Sequence, residues 1–293
     1  MQFTIDLKSD VAAHCAEHLI NAGYSPPAHY KDVLELYLEV KNRRVASIPR
    51  LYHTSGYSVS EELEKGHSLL KAKIIAGDDI WPHQSRKILK DSYEDGMLND
   101  FGIQHFHLGT TFSQAKPELI EGTSDLLFAF VTDTEFYAIG IYNHLSWSRT
   151  ELLDIVHKHW PHLTEPYSLK PNADGNHSKL AYNYSDAEIL ELRKAGINAF
   201  TTRTDGTVTM GLGGGITGAK TSVKVFRELM KTLEYLDQLE HWVLKNFEDA
   251  LLADSAATGG VVRLVWHGCY AHAVSIPEQF ELPLNDYLIF PAI

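Results

Sequence analysis

Apolar residues recur at helical spacing through the first third of the chain and then give way to alternation. Val11 to Ala22 forms an apolar stripe that ends before Gly23, which predicts a helix. A second helix is predicted from Ala28 to Val45, with Val33, Leu34, Leu36, Leu38 and Val40 feeding a buried face and Pro49 beyond its end. Val59 to Ala76 predicts a third, with Ser60 as cap, Glu61 and Glu62 in the first turn and Gly77 as terminator. A shorter helix is predicted over Pro82 to Asp91.

The period then changes from helical to two. Gln104 to Thr111, Asp125 to Thr132 and Phe136 to His144 alternate as strands. The last two are separated only by Asp133-Thr134-Glu135 and should form an antiparallel hairpin. Ser148-Arg149-Thr150-Glu151 has the capping-box pattern and predicts a helix from Arg149 to about His159, closed by Trp160-Pro161. Residues 164–184, rich in Pro, Asn, Ser, Gly and Tyr, read as a long loop. Ser185-Asp186-Ala187-Glu188 opens another helix that ends before Gly196.

Thr204-Asp205-Gly206 is a hairpin turn between Ala199–Arg203 and Thr207–Met210. A glycine-rich loop, Gly211 to Gly218, leads into the longest helix, Ser222 to Leu252. Val261 to Trp266, Ala271 to Ile276 and Tyr287 to Phe290 read as late strands. The sum is an α+β protein: a helical N-terminal region (1–90), a central antiparallel sheet with flanking helices (91–165) and a C-terminal α+β region (166–293).

Composition narrows the functional classes. Lys and Arg number 26 against 38 Asp and Glu, a net charge of −12 that disfavours broad nonspecific nucleic-acid binding. A nucleic-acid enzyme with this balance needs a local basic cleft in an acidic body. The two cysteines, Cys15 and Cys269, match no paired spacing, which fits a reducing cytoplasm. No apolar run approaches the ~18 residues of a membrane span, and the N-terminus lacks a secretory pattern.

Histidines carry the candidate chemistry. His105 and His107 alternate with apolar residues in one predicted strand, so both imidazoles project from one face. His144 ends another strand of the same predicted sheet. Imidazole titrates near neutral pH and can take and return a proton. Metal-free RNA cleavage needs a base for the 2′-hydroxyl, an acid for the leaving 5′-oxygen and a cation for the phosphorane. His105 and His107 would supply the acid and base, His144 would support them, and Arg149 or Lys158 would stabilise phosphate. The same trio could instead ligate Zn²⁺ or another transition metal, with Asp95, Asp100 or Glu118 completing the set.

Asp95 to Asn99 followed by Asp100-Phe101-Gly102-Ile103-Gln104-His105-Phe106-His107-Leu108 resembles the "aspartate…FG…HIHL" stretch of YafO-type mRNA-interferase toxins, members of the RelE-like group. Ser124-Asp125-Leu126-Leu127-Phe128 is similar to the strand that follows there. The resemblance spans about residues 91–162 and implies a small antiparallel sheet on helices that cleaves mRNA without a metal, commonly on the ribosome, with His105 and His107 at the site.

Three further clusters compete with simpler readings. Gly211 to Gly218 could cradle phosphate, but Ala219 stands where a P-loop lysine belongs and a hairpin precedes it, so a turn rich in positive φ explains it as well. His267-Gly268-Cys269 with His272 offers a thiol between imidazoles, or a partly buried strand cysteine. His14 and His18 sit one helical turn apart and read as a surface face. The stripe Val225, Leu229, Leu233, Leu236, Leu239 reads as core or as a subunit contact, making a homo-oligomer through residues 222–252 an expected partner. The leading expectation is a metal-independent endoribonuclease of toxin or defence type, with RNA as partner and no cofactor. A non-enzymatic acidic protein binding a basic protein partner is the rival from another class, and a histidine-liganded hydrolase is the third.

Overall fold

The computed structural model describes residues 3–170, 179–253, 258–268, 270–277 and 280–284. Helices α1 (Leu7–Asn21) and α2 (Tyr30–Arg43) come first, then strand β1 (Leu51–Thr54) and α3 (Glu61–Ala76). The short α4 (Gly96–Phe101) leads into β2 (Ile103–His107), β3 (Asp125–Val131) and β4 (Glu135–Asn143). Next come α5 (Glu151–His159), α6 (Pro161–Thr164), α7 (Asp186–Lys194) and the hairpin β5 (Thr201–Thr202) and β6 (Val208–Thr209). The long α8 (Val223–Ala253) and strands β7 (Val261–His267), β8 (Tyr270–Ile276) and β9 (Glu281–Pro283) complete the described elements. The α+β class and the N-terminal helices are as expected. Tyr287 to Phe290 lies outside the described residues, as does Cys269.

The chain folds as two units, one of residues Met1–Lys41 with Val225–Ile293, the other Asn42–Lys224. The expected boundaries near residues 90 and 165 fall inside the second unit, because the N-terminal helices share a core with the far end of the chain. In the first unit Leu7, Val11, Cys15 and Leu19 of α1 and Val33, Leu34 and Tyr37 of α2 join Leu229, Leu236, Leu239 and Val243 of α8. Leu229, Leu233, Leu236 and Leu239 of the α8 stripe thus serve the core of this unit. Asp6 caps α1 by accepting from the Ser9 amide at 3.0 Å.

The second unit is built on a four-stranded sheet in the order β1-β4-β3-β2. The β2–β3 and β3–β4 pairs are antiparallel, but β1 joins β4 in parallel, so the sheet is mixed rather than purely antiparallel. Alternation assigns the two faces. Phe106, Leu127, Ala129, Phe136 and Ala138 pack with Leu63, Leu70 and Ile74 of α3. Ile103, Leu126, Phe128, Tyr137 and Ile139 pack with Leu152, Leu153 and Val156 of α5. Each fully buried side chain of this size contributes about 1.5–3 kcal/mol relative to exposure.

Local competition explains the departures from the expected elements. Pro82 to Asp91 forms two 3₁₀ turns, Trp81–His83 and Arg86–Leu89, rather than a helix. The Ser85 hydroxyl accepts from the Lys87 amide at 3.3 Å and so divides the segment. Strand β2 stops at His107 instead of running to Thr111, because the Leu108 amide donates to Thr123 Oγ1 at 3.1 Å rather than continuing the ladder. The Ser148 capping box does not form. Helix α5 begins at Glu151, while Thr150 donates through its amide and hydroxyl to Asp186 Oδ1. The Ser185 box does form, with both reciprocal bonds to Glu188.

A candidate histidine cleft

Strand β2 sets the two central histidines on one face, His105 opposite Phe128 and His107 opposite Leu126. Strand β4 ends at Asn143, and His144 follows it toward the same end of the sheet. All three imidazoles line one cleft of ≈ 660 Å³, with Trp147 beside them. The His107 and His144 ring centroids are 5.6 Å apart, and Trp147 meets His105 edge-on at 4.7 Å. The fold thus brings His105, His107 and His144 together at one end of the sheet.

One short segment orients two of the rings. The Thr123 amide donates to His107 Nδ1 at 3.0 Å, so the ring's own proton resides on Nε2. His144 Nδ1 lies 2.8 Å from the Ser124 carbonyl oxygen, which can only accept. His144 therefore carries its proton on Nδ1 and leaves the Nε2 lone pair free when neutral. Consecutive residues thus impose opposite tautomers on neighbouring imidazoles. Thr123 is itself held, its hydroxyl donating to the Asp125 carbonyl at 2.6 Å.

Burial separates the three rings electrostatically. His107 is 9% exposed, and desolvation, with the nearby His105 and His144, pushes its pKa down to about 4. His105 is 6% exposed, and burial lowers its pKa against the opposing pull of the Asp95 carboxylate. His105 Nδ1 has no hydrogen-bond partner among the described residues. His144 is exposed. Behind β2, the fully buried His83 donates from Nδ1 to the His107 carbonyl at 2.9 Å and braces the strand.

Apart from Asp95, the charged residues of the remaining walls are ones that the sequence alone did not single out. Arg86 and Lys87 on the second 3₁₀ turn, Lys194 at the end of α7 and Lys220 before α8 all line the cleft and are exposed. Glu94 and Asp95 are its only lining carboxylates among the described residues. A protein of net charge −12 thus presents a locally basic hollow beside its histidines. Tyr93 also lines it, its phenol pKa raised first by burial and then by Asp95. Arg193 is buried and donates from Nε and Nη2 to Asp100 Oδ2 at 3.1 and 2.8 Å, and from Nη1 to the Trp147 carbonyl at 2.5 Å. Adjacent Arg86 and Lys87 were the one linear signal for this wall. Arg193 and Lys220 reach it only through the fold.

Arg149 and Lys158 do not line the cleft. Arg149 lies over the Tyr142 ring at 5.1 Å and pairs with Glu151 at 3.1 Å. Lys158 is an exposed residue of α5. The exposed cations that line the cleft are instead Arg86, Lys87, Lys194 and Lys220. His157 belongs to a separate knot, with Asp205 at 3.1 Å, Thr164 at 2.8 Å and Arg203 at 2.7 Å.

The carboxylates offered for a metal site have other partners. Asp95 Oδ1 caps α4 by accepting from Met97 and Leu98, and Asp100 is held by Arg193. Glu118 is not among the cleft residues. Among the described residues no group of three His, Cys, Asp or Glu side chains is arranged to hold an ion.

The glycine-rich loop packs against α4 rather than presenting its amides. Gly213 and Gly215 donate to the carbonyls of Asp100 and Asn99 at 2.8 and 2.9 Å. A Cβ on Gly213 would lie 2.2 Å from the Leu98 carbonyl oxygen, so only glycine fits this approach. His14 is buried, stacked on Trp266 at 3.7 Å and 3.0 Å from His18 between their Nε2 atoms, not on the surface face expected for the pair. No helix among the described residues is long and apolar enough to cross a membrane. Compared with protein-family models, curated proteins and solved structures, the chain matches none of them.

Proposed function

We propose that the cleft cleaves single-stranded RNA by transesterification, with His144 as general base. The reading rests on the opposite tautomers of His107 and His144 in one cation-lined hollow. His144 Nε2 takes the proton of the 2′-hydroxyl, and the 2′-oxygen attacks phosphorus. The bond to the 5′-oxygen breaks, and the Tyr93 phenol, which lines the same cleft, gives that oxygen its proton. The products are a 2′,3′-cyclic phosphate and a 5′-hydroxyl. Solvent then returns the proton from His144 to Tyr93.

His107 has a different task from the one its sequence position suggests. Its Nδ1 is occupied by the Thr123 amide, and its depressed pKa keeps the ring neutral. The Nε2–H is thus a fixed donor for a nonbridging phosphate oxygen, where charge develops in the transition state. Arg86 and Lys87 add cationic stabilisation from the neighbouring turn. Trp147 offers an aromatic surface for a base. The resemblance of residues 91–162 to mRNA-interferase toxins points to the same substrate class. The buried free thiol of Cys15 fits work in a reducing cytoplasm.

The test is incubation of purified protein with a short RNA in excess chelator, with mass spectrometry of the fragment ends. We expect 2′,3′-cyclic phosphate termini and a loss of about 10²–10⁴-fold in rate for His144→Ala. No cleavage above the buffer blank, or equal cleavage by parent, His144→Ala and His107→Ala, overturns the proposal.

A further inference from the structure

Lys220 is the one non-glycine residue with positive φ among the described residues, at 72°. A lysine in this left-handed region is disfavoured by its Cβ, and glycine would occupy it freely. The turn that imposes it is well fixed: the Lys220 amide donates to the Thr217 carbonyl at 2.8 Å, and the Thr217 amide to the Thr221 carbonyl at 2.8 Å. Lys220 nevertheless lines the histidine cleft, is exposed, and makes no ion pair among the described residues. Backbone strain kept at a cleft wall points to a function for the side chain that bears it.

A second cation stands beside it. The end of α7 abuts the same turn, since a Cβ on Gly196 would lie 3.1 Å from the Gly218 carbonyl oxygen. Lys194, two residues before Gly196, also lines the cleft, and its ion pair among the described residues is an exposed one with Glu191 at 2.7 Å. Such an exposed pair yields readily to a phosphate. Arg86 and Lys87 belong to a separate element, so the cleft has cations at two places.

We propose that Lys220, with Lys194, forms a second phosphate subsite, which binds the phosphate next to the scissile one in an RNA strand. The inference rests on the reading of the cleft as an RNA site and deepens it: the substrate is an oligonucleotide, not a nucleotide or a dinucleotide. Lys220 acts on binding and does not touch the reacting atoms.

The experiment measures binding, so that it does not depend on turnover. The probes are a fluorescein-labelled 2′-O-methyl oligouridylate and the 2′-O-methyl uridine dinucleotide, which carries one phosphate; neither can be cleaved. Lys220→Gly should weaken the longer probe about tenfold at low salt. It should also lower the salt slope by about 0.7, the value for one single-strand phosphate contact. Dinucleotide affinity should not change, Lys220→Arg should retain binding, and the glycine variant should melt no lower than the parent.

Equal losses on both probes would place Lys220 at the scissile phosphate and overturn the proposal. So would unchanged binding of the longer probe, a lower melting temperature in the glycine variant, or a parent that binds neither probe. A parent that binds the longer probe through Lys220 yet cleaves no RNA leaves this subsite standing and removes the nuclease reading instead.

Discussion

Replacing Arg193 with methionine removes one cation and orphans two acceptors. The guanidinium gives two N–H bonds to Asp100 Oδ2 and one to the Trp147 carbonyl, with the paired side chains 6% and 8% exposed. Methionine fills much of the same volume but leaves a buried carboxylate without a counter-charge. Breaking a buried pair in this way costs about 3–5 kcal/mol. The pH dependence has a definite sign. Burial already holds the Asp100 pKa above its ordinary value, with Arg193 opposing it. Without Arg193 nothing opposes burial, so the folded variant keeps a proton that the unfolded chain releases near pH ~3.9. A raised carboxyl pKa means stability falls as pH climbs through that window, and is recovered on acidification. Urea unfolding followed by tryptophan fluorescence should therefore show the full deficit at about pH 7 and a smaller one near about pH 4.5. Arg193→Met combined with Asp100→Asn should be less damaged than Arg193→Met alone, because the orphaned charge is gone. A deficit below about 1 kcal/mol, or one that is constant across this pH range, would refute the reasoning.

His107 should titrate by NMR near its depressed value of about 4, with Nδ1 unprotonated above it. A depressed histidine pKa gives stability that is present above the unfolded value of 6.5 and lost as pH falls toward 4, roughly 3 kcal/mol in all; His107→Gln should flatten that acid limb, and an unchanged limb in urea titrations counts against it. Gly213→Ala should destabilise the second unit by about 1–3 kcal/mol, since its Cβ meets two carbonyl oxygens of α4; wild-type stability with weakened phosphate binding would revive the cradle reading. Phe128→Ala should cost about 3–5 kcal/mol in chemical denaturation, because the ring is fully buried on the sheet face that packs with α5; a loss under about 1 kcal/mol would mean that this face is not packed as described.

Part of this was written in local pattern. Alternation in Ile103–His107 placed His105 and His107 on one face, and the hairpin Asp125–Asn143 carried His144 to the same sheet end. Ser185 and Glu188 announced α7 because a capping box is a contact within four residues. The similar-looking Ser148 and Glu151 misled, since Asp186, 36 residues away from Thr150, bonds that turn instead. Strand β1 was invisible because Leu51–Thr54 is short and shows no alternation, and only β4 makes it a strand.

The amino-acid order alone fixed the α+β class, most helices and the histidine-bearing strand, all of which depend on periodicity and near-neighbour hydrogen bonds. Tertiary structure decided which cations face the imidazoles, excluding Arg149 and Lys158 and admitting Arg86, Lys87, Lys194 and Lys220. It also decided the tautomers, which Thr123 and Ser124 impose from 16 and 20 residues away. The reason is one of range: a period of two or 3.6 sets where a side chain points from its own element, while charge environment and proton location depend on groups that only folding brings near.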